Sequence, residues 1–214
     1  MFFRCFVLCM RIQTISSNYN LKNNYSTKPS FKSTPVTQSL VSKNLGSSAN
    51  GFIGKLEVLK ANGKKVLLNL KKSTCNDYEI YRLMDDCERV IGSIEFRFNK
   101  YQYRLNNEQD HLFVSELRNF SNPKTPYYKK ELEEHKHIGT MLMQLALQRS
   151  YEEGFDGNIQ LVAKNRNEVV DFYKSLGFKQ PANITIYENP NRLSLSEDGK
   201  TILKNKYGGL PLII

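Results

Sequence analysis

The stretch from Asn165 to Phe178 constrains the local structure more than any other part of the chain. Its apolar residues recur at helical spacing and predict a helix with one buried face: Val169, Val170, Phe172, Tyr173 and Leu176. Asn165 or Asn167 can cap its start, and with Asn165 as the cap Glu168 completes a capping box. Gly177 suits the left-handed residue after the last turn, and Phe178 suits the apolar contact beyond it. This helix must pack on a core, and it is equally compatible with a purely structural role.

The elements around this helix predict the rest of the fold. A longer helix is expected from Ile138 to about Gly154, where apolar residues recur every three or four positions, and Asn158–Ala163 reads as a buried strand. Before the long helix, strands with short connections predict an antiparallel meander, with a tight turn at Asn62-Gly63. These strands are Ile53–Lys60, Lys65–Lys71, Asp77–Met84, Arg89–Phe98 and His111–Leu117.

Two further strands are predicted after the capped helix, at Ile184–Tyr187 and Arg192–Leu195. The pair Asp198-Gly199 fits either a hairpin turn or a short closing helix. The order of elements predicts a single α+β domain, with a mixed, largely antiparallel central sheet flanked by helices.

The domain is expected over residues 52–210, after a disordered arm formed by residues 1–51. The arm is rich in Ser, Asn, Thr and Lys, and it has too little apolar surface to offset the entropy of ordering. Residues 1–10 are apolar but lack the basic start and cleavage site of a signal peptide, so we favour translation from Met10. No segment has the roughly eighteen apolar residues of a membrane-spanning helix, so no membrane association is expected.

Charge and cysteine content narrow the class of partner. The chain has 31 Lys and Arg against 21 Asp and Glu, a net charge of +10, which would attract an anionic partner or simply reflect a coding bias. No nucleic-acid motif accompanies this charge, so binding to nucleic acid is not expected. The four cysteines form no Cys-x-x-Cys pair, which fits a reducing, cytoplasmic location. Glu133, His135 and His137 are too few and too close together to predict a metal site.

The start of the long helix has the residues of an anion site. Its first N–H groups have no partner within the helix, and the helix dipole favours negative charge there. Gly139 would let the backbone approach a phosphate, while Lys136 and protonated His137 would add positive charge. A glycine near the start of a helix is common, so this feature alone does not indicate a ligand.

The two helices resemble those of the GNAT superfamily of acetyl-CoA-dependent N-acetyltransferases. The resemblance includes the ending from Phe172 to Phe178, which reads Phe-Tyr-Lys-Ser-Leu-Gly-Phe. Members of that family carry Phe-Tyr-x-x-Leu-Gly-Phe at this place. They also carry Arg/Gln-x-x-Gly-x-Gly/Ala before the long helix, where it binds the pyrophosphate of coenzyme A. Gly139 agrees with this second pattern, whereas Glu134 and His137 depart from it.

The resemblance implies a binding site for acetyl-CoA. The family's fourth strand, here His111–Leu117, would open beside the next strand to admit the pantetheine arm. Tyr173 would protonate the departing thiolate, since a tyrosine pKa of about 10 lies near the value of about 8.5 for a thiol. The implied cofactor-binding residues, besides Tyr173, are Ser115, Glu116, Leu117, His135, Lys136, His137, Ile138, Gly139, Thr140, Asn165 and Asn167.

A subset of the family places a glutamate late on the fourth strand, and Glu116 resembles it. Glu116 is therefore the leading candidate for deprotonating the acceptor amine, with His111 as the second candidate, although many members use no direct base. The long loop from Phe120 to Leu132 would either shape the acceptor pocket or be a plain surface loop.

The expected function is transfer of an acetyl group from acetyl-CoA to a primary amine by direct attack. The acceptor, a small molecule or a protein amine, is not predicted, and the oligomeric state is left open, with a dimer as one option. The alternative is a catalytically inactive GNAT-fold module that binds a ligand or a protein, motivated by Glu134 and His137.

Overall fold

A computed structural model describes residues 45–46, 50–100, 109–181, 189–208 and 213. These residues form nine strands and three α-helices. In chain order they are β1 (Gly51–Lys60), β2 (Lys65–Cys75), β3 (Tyr78–Met84), β4 (Val90–Asn99), β5 (His111–Asn119), β6 (His135–Lys136), α1 (Ile138–Glu152), β7 (Ile159–Val162), α2 (Asn167–Ser175), β8 (Phe178–Lys179), β9 (Arg192–Leu195) and α3 (Glu197–Asn205). A single 3-10 turn, Lys206–Gly208, follows α3.

All nine strands form one sheet in the order β6-β1-β2-β3-β4-β5-β7-β9-β8. Strands β1 to β5 form the predicted antiparallel meander, and Gly63 takes the left-handed conformation (φ 84°) in the predicted first turn. The pairing of β5 with β7 is parallel, whereas the other described strand pairs are antiparallel. The predicted α+β fold with a mixed, largely antiparallel sheet is therefore confirmed.

The long helix α1 packs on one face of this sheet, over β4 and β5. Gly92 on β4 makes this close approach possible, because a Cβ there would lie 2.4 Å from the Ile138 side chain and 3.2 Å from the Arg118 carbonyl oxygen. The first residue of α1 thus lies beside the end of β5. Helix α3 packs on α1, where Gln144 Nε2 donates to the Leu203 and Lys206 carbonyls at 3.0 and 2.9 Å.

The turn after α2 packs tightly against the start of α3. Gly177 has φ +89°, and a Cβ on it would lie 2.2 Å from Gly199 Cα. Ser196 caps α3, since its hydroxyl accepts from Gly199 N at 3.1 Å and donates to the Gly177 carbonyl at 2.8 Å. Asp198-Gly199 therefore belongs to a closing helix and not to a hairpin. The predicted strand Ile184–Tyr187 lies outside the described residues.

A short piece of the predicted arm packs on the domain. Leu45 is fully buried, and the backbone N–H groups of Leu45 and Gly46 donate to the Glu152 carboxylate at 3.0 and 2.8 Å. Lys72 Nζ donates to the two carbonyls of the same residues at 3.1 and 3.2 Å. Most of the predicted arm, with the favoured start at Met10, lies outside the described residues. No helix in the described part of the chain is long and apolar enough to cross a membrane.

Candidate active site

Strand β5 carries a bulge at Ser115. Glu95 of β4 pairs with Glu116, whereas the next residue, Phe96, pairs with Val114, so Ser115 has no partner on β4. A bulge bends the strand and changes the direction of its side chains, and bulges are common beside active sites. The leading candidate for the base thus stands next to an irregularity in the strand.

The bulge decides which face of the sheet Glu116 occupies. Before the bulge the alternating buried residues are Leu112 and Val114, and after it they are Leu117 and Asn119. The buried residues are even-numbered before the bulge and odd-numbered after it, because an inserted residue moves every following side chain to the opposite face of the sheet. Glu116 therefore lies on the face opposite α1, and without the bulge its carboxylate would point into the apolar core.

The parallel pairing of β5 and β7 ends just before the bulge. Val114 pairs with Leu161, and β5 continues to Asn119 without a further described partner on that side. Backbone N–H and C=O groups left without a strand partner need another hydrogen-bonding partner. The stretch Ser115–Leu117, predicted to bind the amides of the cofactor, borders this gap, and an extended amide-bearing ligand fits such a gap.

Glu116 makes an ion pair with Arg118 on the open face of the sheet. Its Oε2 lies 2.5 Å from Arg118 Nη2, while its Oε1 and the Arg118 Nε are buried without a hydrogen-bond partner among the described residues. Burial and then the Glu116 charge raise the pKa of Glu95 on the adjacent strand. Partial burial and then Arg166 lower the pKa of Lys164, an effect that Glu116 opposes. Glu116 is therefore at the centre of a cluster of charged residues.

The loop from Phe120 to Leu132 covers part of this cluster. The Arg118 guanidinium lies 5.3 Å from the centre of the Tyr127 ring, and burial, with a smaller contribution from Glu116, raises the pKa of Tyr127 to about 12. The Thr125 hydroxyl donates to the Asn119 carbonyl at 2.7 Å, which holds the loop against the end of β5. The loop is thus one wall of the cluster.

His111, the second candidate for the base, is fully engaged elsewhere. It is buried at the other end of β5, its Nδ1 lies 3.0 Å from the Gln109 carbonyl, and its Nε2 lies 3.1 Å from Asn99 Nδ2. A base needs a free ring nitrogen within reach of the proton that it removes. Both ring nitrogens of His111 are therefore already occupied.

The predicted anion site at the start of α1 is divided between two elements. His135 and Lys136 form β6, which pairs with the end of β1, and His135 is buried with its Nδ1 2.7 Å from the Glu133 carbonyl. His137 precedes α1 in a left-handed conformation, φ 63°, without a side-chain cap. Ile138, Gly139 and Thr140 open the helix and are buried. The short strand β6 was not predicted, because two residues carry no periodicity.

The ring of His137 stacks on Tyr207 after α3, with 3.6 Å between ring centres. Burial, followed by Lys136 and Lys206, lowers the pKa of His137. Lys206 Nζ also donates to the Ser175 carbonyl at the end of α2, at 2.7 Å. Residues 206 and 207 therefore join the start of α1 to the end of α2, the helix that carries Tyr173.

Tyr173 lies in the core on the inner face of α2, with only 1% of its surface exposed. Its ring makes edge contacts with Phe172 and Phe178, at 5.1 and 5.7 Å between centres. No described residue makes a hydrogen bond to its hydroxyl, and burial strongly raises its pKa. The hydroxyl therefore stays protonated at neutral pH.

The predicted cap of α2 is wrong. The helix begins at Asn167, the cap position is Arg166, and no side chain caps it. The Arg166 N–H donates to the Lys164 carbonyl at 2.8 Å, and this tight turn moves the start of the helix one residue beyond Asn165. Asn165 thus lies in the turn between β7 and α2, and Asn167 is the first residue of the helix.

Several residues at the site were not predicted from the sequence, and four of them flank its two ends. Arg118 and Tyr127 flank the open face, and Lys206 and Tyr207 flank the start of α1. Arg118 had a signal, since it follows Glu116 by two residues and so shares its face on a strand. The other three have none, because their positions depend on a loop and on the packing of α3.

No protein-family model and no curated protein matches the chain. Among the solved structures that do match is a protein from Pyrococcus furiosus described as an acetyl transferase, 16% identical with a TM-score of 0.38 over 52% of this chain and 65% of its own. This chain thus spans just under two thirds of that protein. Nourseothricin acetyltransferase is 15% identical, with a TM-score of 0.37, over 69% of this chain and 86% of its own.

An acetyltransferase of the GNAT family from Staphylococcus aureus Mu50 is 16% identical, with a TM-score of 0.34, over 56% of this chain and 68% of its own. It belongs to the superfamily that the sequence resembles. All three superpositions are loose, and none of them bears on the function of this chain.

Proposed function

We propose that this chain is an N-acetyltransferase that moves an acetyl group from acetyl-CoA to a primary amine by direct attack. The observation that carries the proposal is the bulge at Ser115. There β5 loses its parallel partner, turns Glu116 to the open face, and leaves backbone groups facing a gap. The gap beside β5 would accommodate an extended thioester, and Glu116 on the open face would receive an amine.

Each part of the site has a role in this reaction. Acetyl-CoA enters as a substrate, with its amides beside Ser115–Leu117 and its phosphates near the start of α1, where Lys136 and Lys206 supply positive charge. The residues fit such a ligand, since the helix start offers N–H groups and Gly139 has no side chain to obstruct it. The Leu117 N–H polarises the acetyl carbonyl as an oxyanion donor does.

The reaction forms one bond and breaks one. The amine nitrogen attacks the acetyl carbon, a C–N bond forms, and the C–S bond breaks with its electron pair passing to sulfur. Glu116 removes the proton that the nitrogen loses, and Tyr173 donates a proton to the thiolate, with exchange through solvent restoring both side chains. Because burial raises the pKa of Tyr173, we expect the phenol to hydrogen-bond the thiolate first and to release its proton only when the sulfur is equally desolvated.

Binding and turnover can be tested separately. Acetyl-CoA should raise the melting temperature by mass action, and calorimetry should give its affinity directly. Thiol release is then followed over a panel of amines, with product masses to identify acetylation. The absence of both a melting shift and a calorimetric signal at millimolar acetyl-CoA would contradict the proposal.

A further inference from the structure

The ion pair between Glu116 and Arg118 indicates which class of acceptor the site would bind. The two side chains are only 13% and 34% exposed, so the pair is largely withdrawn from water. It satisfies one atom of each partner, and Glu116 Oε1 and Arg118 Nε remain buried without a described partner. One unsatisfied group is an acceptor and the other a donor, which matches a ligand that carries both kinds of group.

Positive charge is in excess around this pair. One row of paired residues across β5, β4 and β3 consists of Arg118, Ser93 and Arg82. The neighbouring row on the same face contains Glu116 and Glu95. Lys164, in the turn after β7, is close enough to Glu116 to be affected by its charge, and Arg166 lies near Lys164. The three cations Arg82, Arg118 and Lys164 therefore lie near the two carboxylates Glu95 and Glu116, and Arg166 adds a further positive charge beside Lys164. A polyamine or a lysine-rich peptide would add positive charge to a face that already has too much.

Use of Glu116 as a base has a cost that depends on the acceptor. An amine that takes Glu116 away from Arg118 leaves a partly buried guanidinium without its counter-ion, and breaking such a pair is unfavourable. An acceptor with an anionic group beside its amine would replace the internal pair by two new pairs. The Tyr127 ring beneath Arg118 keeps the guanidinium in place to receive that group.

We propose that the acceptor is an amine that carries its own carboxylate or phosphate, with the amine at Glu116 and the anionic group at Arg118. This inference rests on the proposed acetyl transfer and names the class of its acceptor. Arg118 acts as a specificity residue: it binds the anion, and it releases Glu116 only when that anion is present.

The test compares acceptors in matched pairs on the full chain. Histidine is compared with histamine and tyrosine with tyramine for the carboxylate, phosphoethanolamine is compared with ethanolamine for the phosphate, and spermidine serves as the polycation. We expect kcat/KM for the anionic member of one pair to exceed that of its neutral partner by at least about tenfold, the ratio for a hydrogen bond between charged groups. The pair that shows the preference identifies the anion.

Arg118→Gln should reduce this ratio to about one. Lys124→Gln is the control, because it removes a positive charge from an exposed position of the loop that follows β5 and should leave the ratio unchanged. Circular dichroism and melting curves show whether both variants fold. If the Gln variant does not fold, Arg118→Lys takes its place, since it keeps the charge without the fork that binds an anion and should reduce the ratio partly.

Three results would overturn the inference. They are equal use of both members of every pair, preference for spermidine, and a preference that survives in Arg118→Gln; the proposed acetyl transfer would stand in each case. If no amine is acetylated although acetyl-CoA binds, calorimetry in the presence of CoA measures the affinity for each member of the same pairs. Selective binding of an anionic member supports the inference, and equal or absent binding overturns it. Failure to bind acetyl-CoA at all contradicts the proposed function itself.

Discussion

Substitution of Arg149 by methionine should destabilise the domain strongly. Arg149 is 5% exposed, and its guanidinium donates to both Glu79 oxygens at 3.0 and 3.2 Å and to Glu153 at 3.0 Å. The variant leaves Glu79 buried with Lys72, at 3.3 Å, and the Tyr81 hydroxyl, at 2.9 Å, as its remaining partners. Breaking a buried pair in this way costs about 3–5 kcal/mol of unfolding free energy.

For a domain of this size that loss lowers the melting temperature by roughly 2–4 °C per kcal/mol, and so by about 6–20 °C. The measurement is urea unfolding followed by circular dichroism, together with a thermal melt. Lys65→Met is the matched control, because Lys65 pairs with Glu57 on the exposed side of the sheet, with 68% and 51% of the side chains exposed. Exposed pairs contribute about 0–1 kcal/mol, so this control should unfold almost as the wild type does.

The double variant Glu79→Gln/Arg149→Met gives a second check. It also takes the carboxylate away from Lys72, which is itself buried, so it should recover none of the stability lost in Arg149→Met. If Arg149→Met unfolds within about 1 kcal/mol of the wild type, the size given for a surface pair, the network is not a buried one in solution and the reasoning fails.

Two further predictions concern stability. Gly177→Ala should lower the free energy of unfolding, measured in urea, by more than about 1 kcal/mol, because it combines a left-handed φ of +89° with a Cβ 2.2 Å from Gly199 Cα. Gly63→Ala, at φ +84° with open space around it, should lower the free energy of unfolding by less. Burial lowers the pKa of both His135 and His137, so the unfolded chain binds protons more readily than the folded one. The free energy of unfolding should therefore fall as the pH drops below about 6.5 and continue to fall towards the lowered pKa values. His137→Asn, which also tolerates the left-handed conformation, should show a weaker dependence, and an unchanged profile would contradict this.

The elements with strong local signals were predictable from the sequence. The alternation in β4, the hairpin at Gly63 and the glycine that ends α2 all follow from rules about single turns and faces, and all are present. The bulge at Ser115 was not predictable, because it depends on how β4 and β5 align, yet it decides the face of Glu116. The cap of α2 was misjudged by one residue, because a backbone turn at Lys164–Arg166 replaced the expected asparagine cap.

The candidate site, like the fold, was only partly predictable from the sequence. The sequence proposes Tyr173 and Glu116 from motif positions, and the structure adds their surroundings, which are the packed core for Tyr173 and an ion pair for Glu116. Arg118 lies on the same strand as Glu116, whereas Tyr127 comes from a loop and Tyr207 from the turn after α3, and only tertiary packing brings these two to the site. A pattern in sequence identifies residue types on one element, but the electrostatics of a site depends on several.

Acetyl transfer with Tyr173 as proton donor can be tested with the variant Tyr173→Phe. The variant keeps the ring contacts with Phe172 and Phe178 and removes only the hydroxyl. Thiol release is measured at saturating acetyl-CoA with an accepted amine, and the affinity for acetyl-CoA is measured by calorimetry on the same samples. We expect the wild type to acetylate the amine and the variant to lose about 10²–10⁴-fold in kcat, the contribution of a positioned acid, at unchanged affinity for acetyl-CoA. A variant as fast as the wild type, or a wild type that releases no thiol with any amine, would contradict it.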